Sequence, residues 1–225
     1  MCGRFFREDV SWREYHDALN FINERQGELF APAYNIAPTQ SAPIIRLNDE
    51  NEREVIRARW GLVPFFWKKP LKEMKFSTFN ARSETASSKA SFRVPFKSRR
   101  CLVPISGYYE WKRIDKKTKI PHAIALRNRR WFCLAGLWDH ADIDDEELLS
   151  FTILRTAAND TLADIHNRMP VILRPEDYET WLTGGIEAIA ALCTPFNPLD
   201  THAWAVGSEI GNVRNQGKAL IAEVN

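Results

Sequence analysis

Residues 99–111, RRCLVPISGYYEW, decide the fold, because two short runs of apolar, β-branched and aromatic residues meet there at Ser106 and Gly107. Runs of the same kind lie at residues 54–65, 120–127, 131–139, 150–158 and 169–175. Few segments between them offer a crossover helix, and strands that follow one another directly pair antiparallel. The sequence therefore predicts an α+β fold with a bent, largely antiparallel, barrel-like β core flanked by helices.

Helices are predicted around this core. Residues 11–27, SWREYHDALNFINERQG, carry a capping box at Ser11 and Glu14 and end at Gly27. Shorter helices are expected within residues 81–92, 175–182 and 186–193. The proline-rich residues 31–43 predict an ordered loop that leads into a strand at residues 44–47. No change in composition and no internal repeat divides the chain, so we expect one domain over residues 1–225.

The composition is that of a globular protein, with 44% hydrophobic and 27% charged residues among 225. A net charge of +2 means that a polyanionic partner must be bound by a local basic patch. No apolar run reaches the length of a membrane span, and the first ten residues lack the apolar stretch of a signal peptide. No metal-ligand spacing and no nucleotide-binding fingerprint is present. We expect a cytoplasmic monomer without membrane contact, metal or cofactor.

Cys2 stands directly after the initiator methionine in MCGRFF. Removal of Met1 would place an α-amine with a pKa of about 7.7–8.0 beside a thiol with a pKa of about 8.5. No internal cysteine offers this pair of nucleophiles. The alternative is that residue 2 is an exposed, frayed terminus without a chemical role.

Two further motifs place polar groups where a packed core does not require them. Residues 79–85, FNARSET, put Asn80 and Arg82 on one side of an extended segment, although a helix cap with a salt bridge is an alternative. In residues 106–112, SGYYEWK, the carboxyl of Glu110 lies among Tyr108, Tyr109 and Trp111. Desolvation there would raise its pKa and suit it to proton transfer. Alternatively, Glu110 points to water.

His166 and Arg168 lie just before an apolar strand in residues 163–173, ADIHNRMPVIL. Histidine titrates near neutral pH, and arginine binds phosphate in a bidentate manner. A surface or structural histidine is the alternative. Together, the potential catalytic side chains and the arginines provide the groups needed for covalent catalysis next to a bound phosphate backbone. The set is Cys2, Asn80, Glu110 and His166 with Arg4, Arg82 and Arg168.

Several motifs, in this order along the chain, resemble the SOS response-associated peptidase family: MCGRF, YNIAPTQ, RWGLVPFFW, FNARSET, CLVPISGYYEWK, DIHNRMPVIL and VGSEIGNVRNQG. Members of that family bind abasic sites in single-stranded DNA. The resemblance implies a covalent DNA–protein crosslink through the N-terminal cysteine, a thiazolidine, which shields the abasic site from strand breakage. It also implies a role in the DNA damage response, with association with the nucleoid when DNA is damaged.

The resemblance also implies roles for individual residues. Cys2 would be the nucleophile, Asn80 and Glu110 would lie beside its amine and the sugar, and His166 would act on the sugar. The DNA-binding set would be Arg4, Arg82, Arg168, Pro38, Phe66, Trp67 and Trp111. Where family members often carry a Trp-Trp wedge, this chain has Phe65, Phe66 and Trp67.

Other functions of the same residues remain open. Cys2 would also serve an N-terminal cysteine hydrolase or a self-processing peptidase, with its own amine as the base. The arginines and aromatic residues alone would serve a non-covalent single-stranded DNA-binding module. Lyase activity at the abasic site and autopeptidase activity at Met1 are further expectations.

Overall fold

The computed structural model describes residues 2–24 and 29–224, whose strands form two sheets. The strands are β1 Phe5–Arg7, β2 Ala33–Ile36, β3 Ser41–Leu47, β4 Arg53–Trp60, β5 Asn80–Arg82, β6 Arg100–Ile105, β7 Gly107–Arg113, β8 Lys119–Leu126, β9 Phe132–Ile143, β10 Glu146–Ala157, β11 Arg168–Pro170, β12 Ile172–Leu173 and β13 Thr201–Ala205. The helices are α1 Trp12–Leu19, α2 Ser83–Ala86, α3 Arg93–Ser98, α4 Tyr178–Thr183 and α5 Ile186–Ala191. Short 3₁₀ turns lie at Leu71–Glu73, Pro175–Asp177, Pro198–Asp200, Ser208–Gly211 and Lys218–Ile221.

The larger sheet closes into a barrel, so the predicted α+β fold with a barrel-like core is confirmed. Its strand order is β11-β10-β4-β3-β6-β9-β12, and a further pairing of β10 with β9 joins the ends of the β10-β4-β3-β6-β9 path. Among the described strands, only the pairings of β10 with β4 and β5 are parallel. The β9–β10 hairpin turns through Asp144 and Asp145, both with positive φ (53° and 66°), as a type I′ turn requires.

The smaller sheet has the order β13-β8-β7-β1-β2 and brings the N-terminal strand between two neighbours. Phe5 of β1 lies opposite Ile36 of β2 and Tyr108 of β7. Pairing along both edges satisfies the backbone groups of β1, which a terminal segment otherwise leaves to solvent. The residues before β1 are thereby held against the core.

The core fills both faces of the barrel strands. One face packs against the smaller sheet, where the Trp60 ring lies 5.0 Å from the Phe5 ring and 6.4 Å from the Phe151 ring. The indole of Trp60 donates to the carbonyl of Phe79 at 2.8 Å. The other face packs against the helices, with Trp181 of α4 fully buried. Burial of such side chains stabilises the fold by about 1.5–3 kcal/mol each.

Helix α1 is shorter than predicted. Its start is confirmed, because the Ser11 hydroxyl accepts a hydrogen bond from the Glu14 amide at 3.1 Å. The helix ends at Leu19, earlier than predicted. Asn20 adopts a left-handed conformation (φ 49°), and its backbone N–H donates to the carbonyl of His16. Asparagine tolerates that conformation and ends helices as glycine does. The predicted end at Gly27 lies outside the described residues.

Two other predictions from the chain pattern were wrong in detail. The expected loop over residues 31–43 contains β2 and the start of β3. Pro43 has no backbone N–H to donate to a neighbouring strand. It is tolerated in β3 because this strand pairs with β6 only at Ile45. The expected helix over residues 81–92 is helical only over Ser83–Ala86, because its first residues extend β5, and the next helix begins at Arg93. Strand β13 was not predicted.

None of the helices in the described residues is long and apolar enough to span a membrane.

We expect Gly107→Ala to destabilise the fold. A Cβ at this position would lie 2.6 Å from the carbonyl oxygen of Ile124 and against the ring of Phe6, so backbone must shift. Overpacking of this kind costs about 1–3 kcal/mol, which thermal denaturation detects as a lower Tm. Gly211→Ala is the control, because no atom lies within 4 Å of the position that its methyl group would take. Equal melting temperatures for the two variants would contradict this packing.

Candidate functional site

Cys2 is packed into the core between the two sheets. Its side chain is only 3% exposed, and the thiol lies 3.9 Å from the Arg4 carbonyl. The amide of Asn80 in β5 donates to the Cys2 carbonyl at 2.7 Å. The Arg4 carbonyl also accepts from the Tyr109 amide at 3.0 Å, which continues the pairing of β1 with β7. Cys2 is therefore a fixed, buried residue and not a frayed terminus.

Glu110 lies on the same face of β7 as Tyr108, toward Cys2. Side chains alternate along a strand, and Tyr108 belongs to the core cluster of Cys2, whereas Tyr109 packs on the opposite face. Glu110 is 2% exposed, so the alternative of a carboxylate in water is wrong. The expected aromatic surroundings were wrong in part, because Trp111 also packs on the opposite face. The barrel core desolvates Glu110 instead.

The thiol and its neighbours form an electrostatically coupled group. Burial raises the pKa of Cys2 far above its usual range, and the negative charge of Glu110 raises it further, while Arg155 lowers it. Burial likewise raises the pKa of Tyr108, whose hydroxyl has no hydrogen-bond partner among the described residues. At neutral pH the Cys2 thiol therefore keeps its proton, and a base must take that proton during any reaction.

A row of arginines lies on one face of the three-strand segment β5-β10-β11. Arg155 of β10 lies opposite Arg82 of β5, and Ala157 lies opposite Arg168 of β11. Residues directly opposite each other share a face, and the same face carries Asn80, opposite Ile153. Ile153 packs in the core cluster of Cys2. The register thus brings Asn80, Arg82 and Arg168 to the side of the sheet that holds the cysteine.

Arg155 was not predicted as a site residue, although the sequence carries a signal for it. In residues 150–158, SFTILRTAA, alternate positions Phe151 and Ile153 are apolar and buried, and Arg155 follows them on the same face. An arginine that breaks an apolar alternation is placed where a core residue is expected.

Arg168 forms a bidentate ion pair with Glu84. Its two terminal nitrogens donate to the two carboxylate oxygens at 2.7 Å each, and Nη2 also donates to the Arg155 carbonyl at 2.9 Å. The bonds from Arg168 lower the pKa of Glu84. The salt bridge considered as the alternative for residues 79–85 thus exists, and it involves Glu84. A phosphate that binds Arg168 must share the guanidinium with this carboxylate or displace it.

His166 ends the turn that precedes β11. Its Nδ1 lies 3.0 Å from the Arg168 amide nitrogen, which donates to it, and 3.2 Å from the Arg168 carbonyl oxygen. The imidazole is half-buried. No hydrogen bond among the described residues joins it to Cys2 or Asn80. The position of His166 is fixed by its hydrogen bond with the backbone amide of Arg168.

Arg4 lies two residues after Cys2, partly buried. Its Nη1 donates to the Gly3 carbonyl at 2.8 Å, and burial lowers its pKa. Nε of Arg4 has no hydrogen-bond partner in the described part of the chain. The backbone carbonyl of Arg4, and not its guanidinium, is the group that contacts the thiol of Cys2.

The predicted aromatic residues differ in exposure. Phe66 is 46% exposed and contacts Phe65 edge to face at 5.5 Å between ring centroids. Trp67 is half-buried on a small apolar cluster and packs edge-on against Phe76 at 5.6 Å. Of the predicted pair, Phe66 is therefore the ring open to a base, and Trp67 supports the loop that carries it.

A cavity of about 220 Å³ lies beside Asn80. Pro38, Trp60, Phe76 and Phe79 are among its lining residues, and Phe79 directly precedes Asn80. Thr39 at its edge has a positive φ of 77°, which is unusual for a β-branched residue. Strained backbone of this kind persists where the surrounding structure holds it.

The remaining cysteines lie elsewhere. Burial raises the pKa values of Cys101, Cys133 and Cys193, those of the last two to about 12. Within residues 2–24 and 29–224, no cluster of three His, Cys, Asp or Glu side chains could hold a metal ion.

Comparison with known proteins finds similar sequences and structures over nearly the whole chain. The abasic site processing protein YoqW of Bacillus subtilis is 38% identical, with 98% of this chain and 99% of YoqW covered. The abasic site processing protein HMCES of Pongo abelii is 31% identical, and the match covers 100% of this chain and 77% of HMCES. A crystal structure of a Bacteroides thetaiotaomicron protein superposes with a TM-score of 0.86 at 25% identity, over all of both chains. A Bordetella bronchiseptica protein gives 0.77 at 26% identity, over 92% of this chain and all of its own.

The model of the family described as SOS response associated peptidase (SRAP) matches residues 1–213, nearly the whole chain. The chain therefore belongs to the SOS response associated peptidase family.

Proposed function

We propose that this protein binds abasic sites in single-stranded DNA and joins Cys2 covalently to the exposed sugar. One observation carries the proposal: Cys2 is anchored by Asn80 beside the buried carboxylate of Glu110, on the side of the sheet where the arginines lie. Relatives over nearly the full chain are named abasic site processing proteins. A fixed nucleophile, a buried base and a cationic surface are the parts that such a reaction requires.

The reaction begins with a free amine at Cys2, after removal of Met1. His166 assists the opening of the cyclic sugar to its aldehyde by transferring a proton. The Cys2 amine attacks the aldehyde carbon, and loss of one water gives a Schiff base. The thiol then adds to the imine carbon, its proton passes through Glu110 to the nitrogen, and a thiazolidine closes. Amine and thiol belong to one residue, so closure benefits from a high effective concentration.

The DNA strand follows the arginines. Arg4, Arg82 and Arg168 bind backbone phosphates, and Phe66 offers an exposed ring for stacking of a base. Pro38, which lines the cavity next to Phe79, adds to the contact surface. Trp111 packs on the face of β7 opposite to Cys2, so a contact with DNA there lies away from the cysteine. Because Cys2 is buried, a sugar without a base reaches it more readily than an intact nucleotide does. The missing base thus provides selectivity, and the adduct shields the sugar from strand cleavage.

The burial of Cys2 also bears on the rival functions. A peptide hydrolase must admit a substrate backbone to its nucleophile, and a 3% exposed thiol offers little room for one. Peptidase chemistry is therefore proposed only for removal of Met1, and lyase activity only as a side reaction of the Schiff base. We propose that the protein acts as a cytoplasmic monomer that associates with the nucleoid at damaged DNA.

The amine and the thiol can be tested separately. The protein lacking Met1 should give a denaturant-resistant adduct with an abasic oligonucleotide, one water lighter than the sum of the two masses. Cys2→Ala retains the amine and should give an adduct only after borohydride reduction. Acetylation of the Cys2 amine should abolish both adducts. Cys193→Ala is the control and should react as the unchanged protein does. A stable adduct from the blocked protein, measured by intact mass, would falsify the thiazolidine mechanism.

Glu110→Gln tests the base. We expect crosslinking to slow by about 10²–10⁴-fold, the usual contribution of a general base, while affinity for the strand is unchanged. Rates on denaturing gels at saturating DNA and affinities by fluorescence anisotropy separate the two effects. Glu50→Gln, in an exposed turn, is the matched control. Loss of affinity without loss of rate would assign Glu110 to binding instead.

Arg168 and Glu84 should affect DNA binding in opposite directions. Arg168→Ala should weaken binding and reduce the slope of log affinity against log salt by about 0.7, the value for one phosphate of a single strand. Glu84→Gln removes the competing charge and should strengthen binding. Arg13→Ala, on the exposed face of α1, is the control, and titrations at several salt concentrations measure all three. A weaker complex from Glu84→Gln would show that the ion pair holds Arg168 in place for the phosphate.

A further inference from the structure

We propose that Arg155 binds the phosphate next to the reacting sugar and holds that sugar over Cys2. This inference rests on the proposed function and assigns to it a residue that lies outside all the motifs that resemble the family. Three features of the molecule support it: the register of β10, the hydrogen-bond donors of Arg155 and the charges that face its guanidinium.

The register places Arg155 at the centre of the arginine row. Strand β10 lies between β5 and β11, and Arg155 is opposite Arg82 on one side and Pro170 on the other. Ile153, two residues earlier on the same face, packs in the core cluster of Cys2. Along β10, Arg155 therefore lies nearer to Ile153 than Ala157 does. Ala157 is the residue that pairs with Arg168.

The guanidinium of Arg155 makes no hydrogen bond to the described residues. Its Nε is buried without a hydrogen-bond partner, and neither terminal nitrogen donates to any residue in the described part of the chain. In contrast, Glu84 occupies both terminal nitrogens of Arg168. Buried polar groups are nearly always hydrogen-bonded, so a partly buried guanidinium with open donors fits a ligand that accepts hydrogen bonds.

The charges around Arg155 favour an anion. Burial lowers its pKa, the positive charges of Arg168 and Arg82 lower it further, and Glu110 and Glu84 raise it. Glu84 is committed to Arg168, so the row keeps an excess of positive charge. A phosphate between Arg155 and Arg82 relieves their repulsion and takes both into charge-assisted hydrogen bonds.

The interactions of Arg155 also identify which phosphate it binds. Its charge acts on both Cys2, the proposed nucleophile, and Glu110, the proposed base. A phosphate bound there is adjacent to the abasic sugar and not further along the strand. Arg155 therefore contributes to the position of the reacting carbon, whereas the more exposed Arg82 continues the path of the strand.

The test compares aldehydes with and without a phosphate. Arg155→Ala and Arg155→Gln are each reacted with an abasic oligonucleotide, with 2-deoxyribose 5-phosphate and with 2-deoxyribose. We expect crosslinking to the two phosphorylated aldehydes to slow by about 10–100-fold, the range for lost hydrogen bonds to a charged group, and reaction with 2-deoxyribose to be unchanged. Arg155→Lys, which keeps the charge without the planar fork, should recover part of the rate.

The matched control is Arg127→Ala, in an exposed turn, and the melting temperature of each variant checks its fold. Unchanged rates for Arg155→Gln with all three aldehydes would overturn the inference. Equal slowing with 2-deoxyribose would also overturn it, because Arg155 would then act on Cys2 or Glu110 and not through phosphate. If the unchanged protein failed to crosslink abasic DNA, the proposed function itself would fail, which separates the two outcomes.

Discussion

Pairing of β1 between β2 and β7 is the constraint on which the candidate site depends. A chain terminus ordinarily frays, because its backbone groups bond to water as well as to protein. Here Phe5 has a strand partner on each side, and the Asn80 amide fixes the Cys2 carbonyl three residues before it. The position of Cys2, the proposed nucleophile, is therefore set by sheet hydrogen bonds and core packing. Chemistry at a terminus gains the precision of a strand.

Strand β10 joins this constraint to the cationic surface. It closes the barrel with β9 and β4, and beyond that closure it carries β5 and β11. Strand β10 thus positions Asn80, whose side-chain amide donates to the Cys2 carbonyl. It also positions Arg168, whose backbone amide donates to His166. The rigidity of a closed barrel passes directly to side chains that come from distant parts of the sequence.

The sequence predicted the strand-rich barrel because its β runs are short, apolar and separated by strong turn residues. It predicted the burial of Glu110 only as one of two possibilities, since alternation does not say which face of a strand is covered. It missed Arg155 and the end of α1 at Asn20, because both depend on what packs nearby and not on local pattern. The association of Glu84 with Arg168 joins residues 84 positions apart, a separation that no periodicity reports.

Burial of the cysteine also sets the order of the proposed steps. A thiol whose pKa is raised by burial and by Glu110 is a poor nucleophile at neutral pH. The α-amine, with a pKa of about 7.7–8.0 in an ordinary setting, is the competent nucleophile for the first step. The thiol reacts only when an imine carbon lies beside it and a base accepts its proton. A protonated, enclosed thiol reacts slowly with oxidants and stray electrophiles. Under the proposed mechanism, the same burial reserves Cys2 for an aldehyde that the amine has already captured.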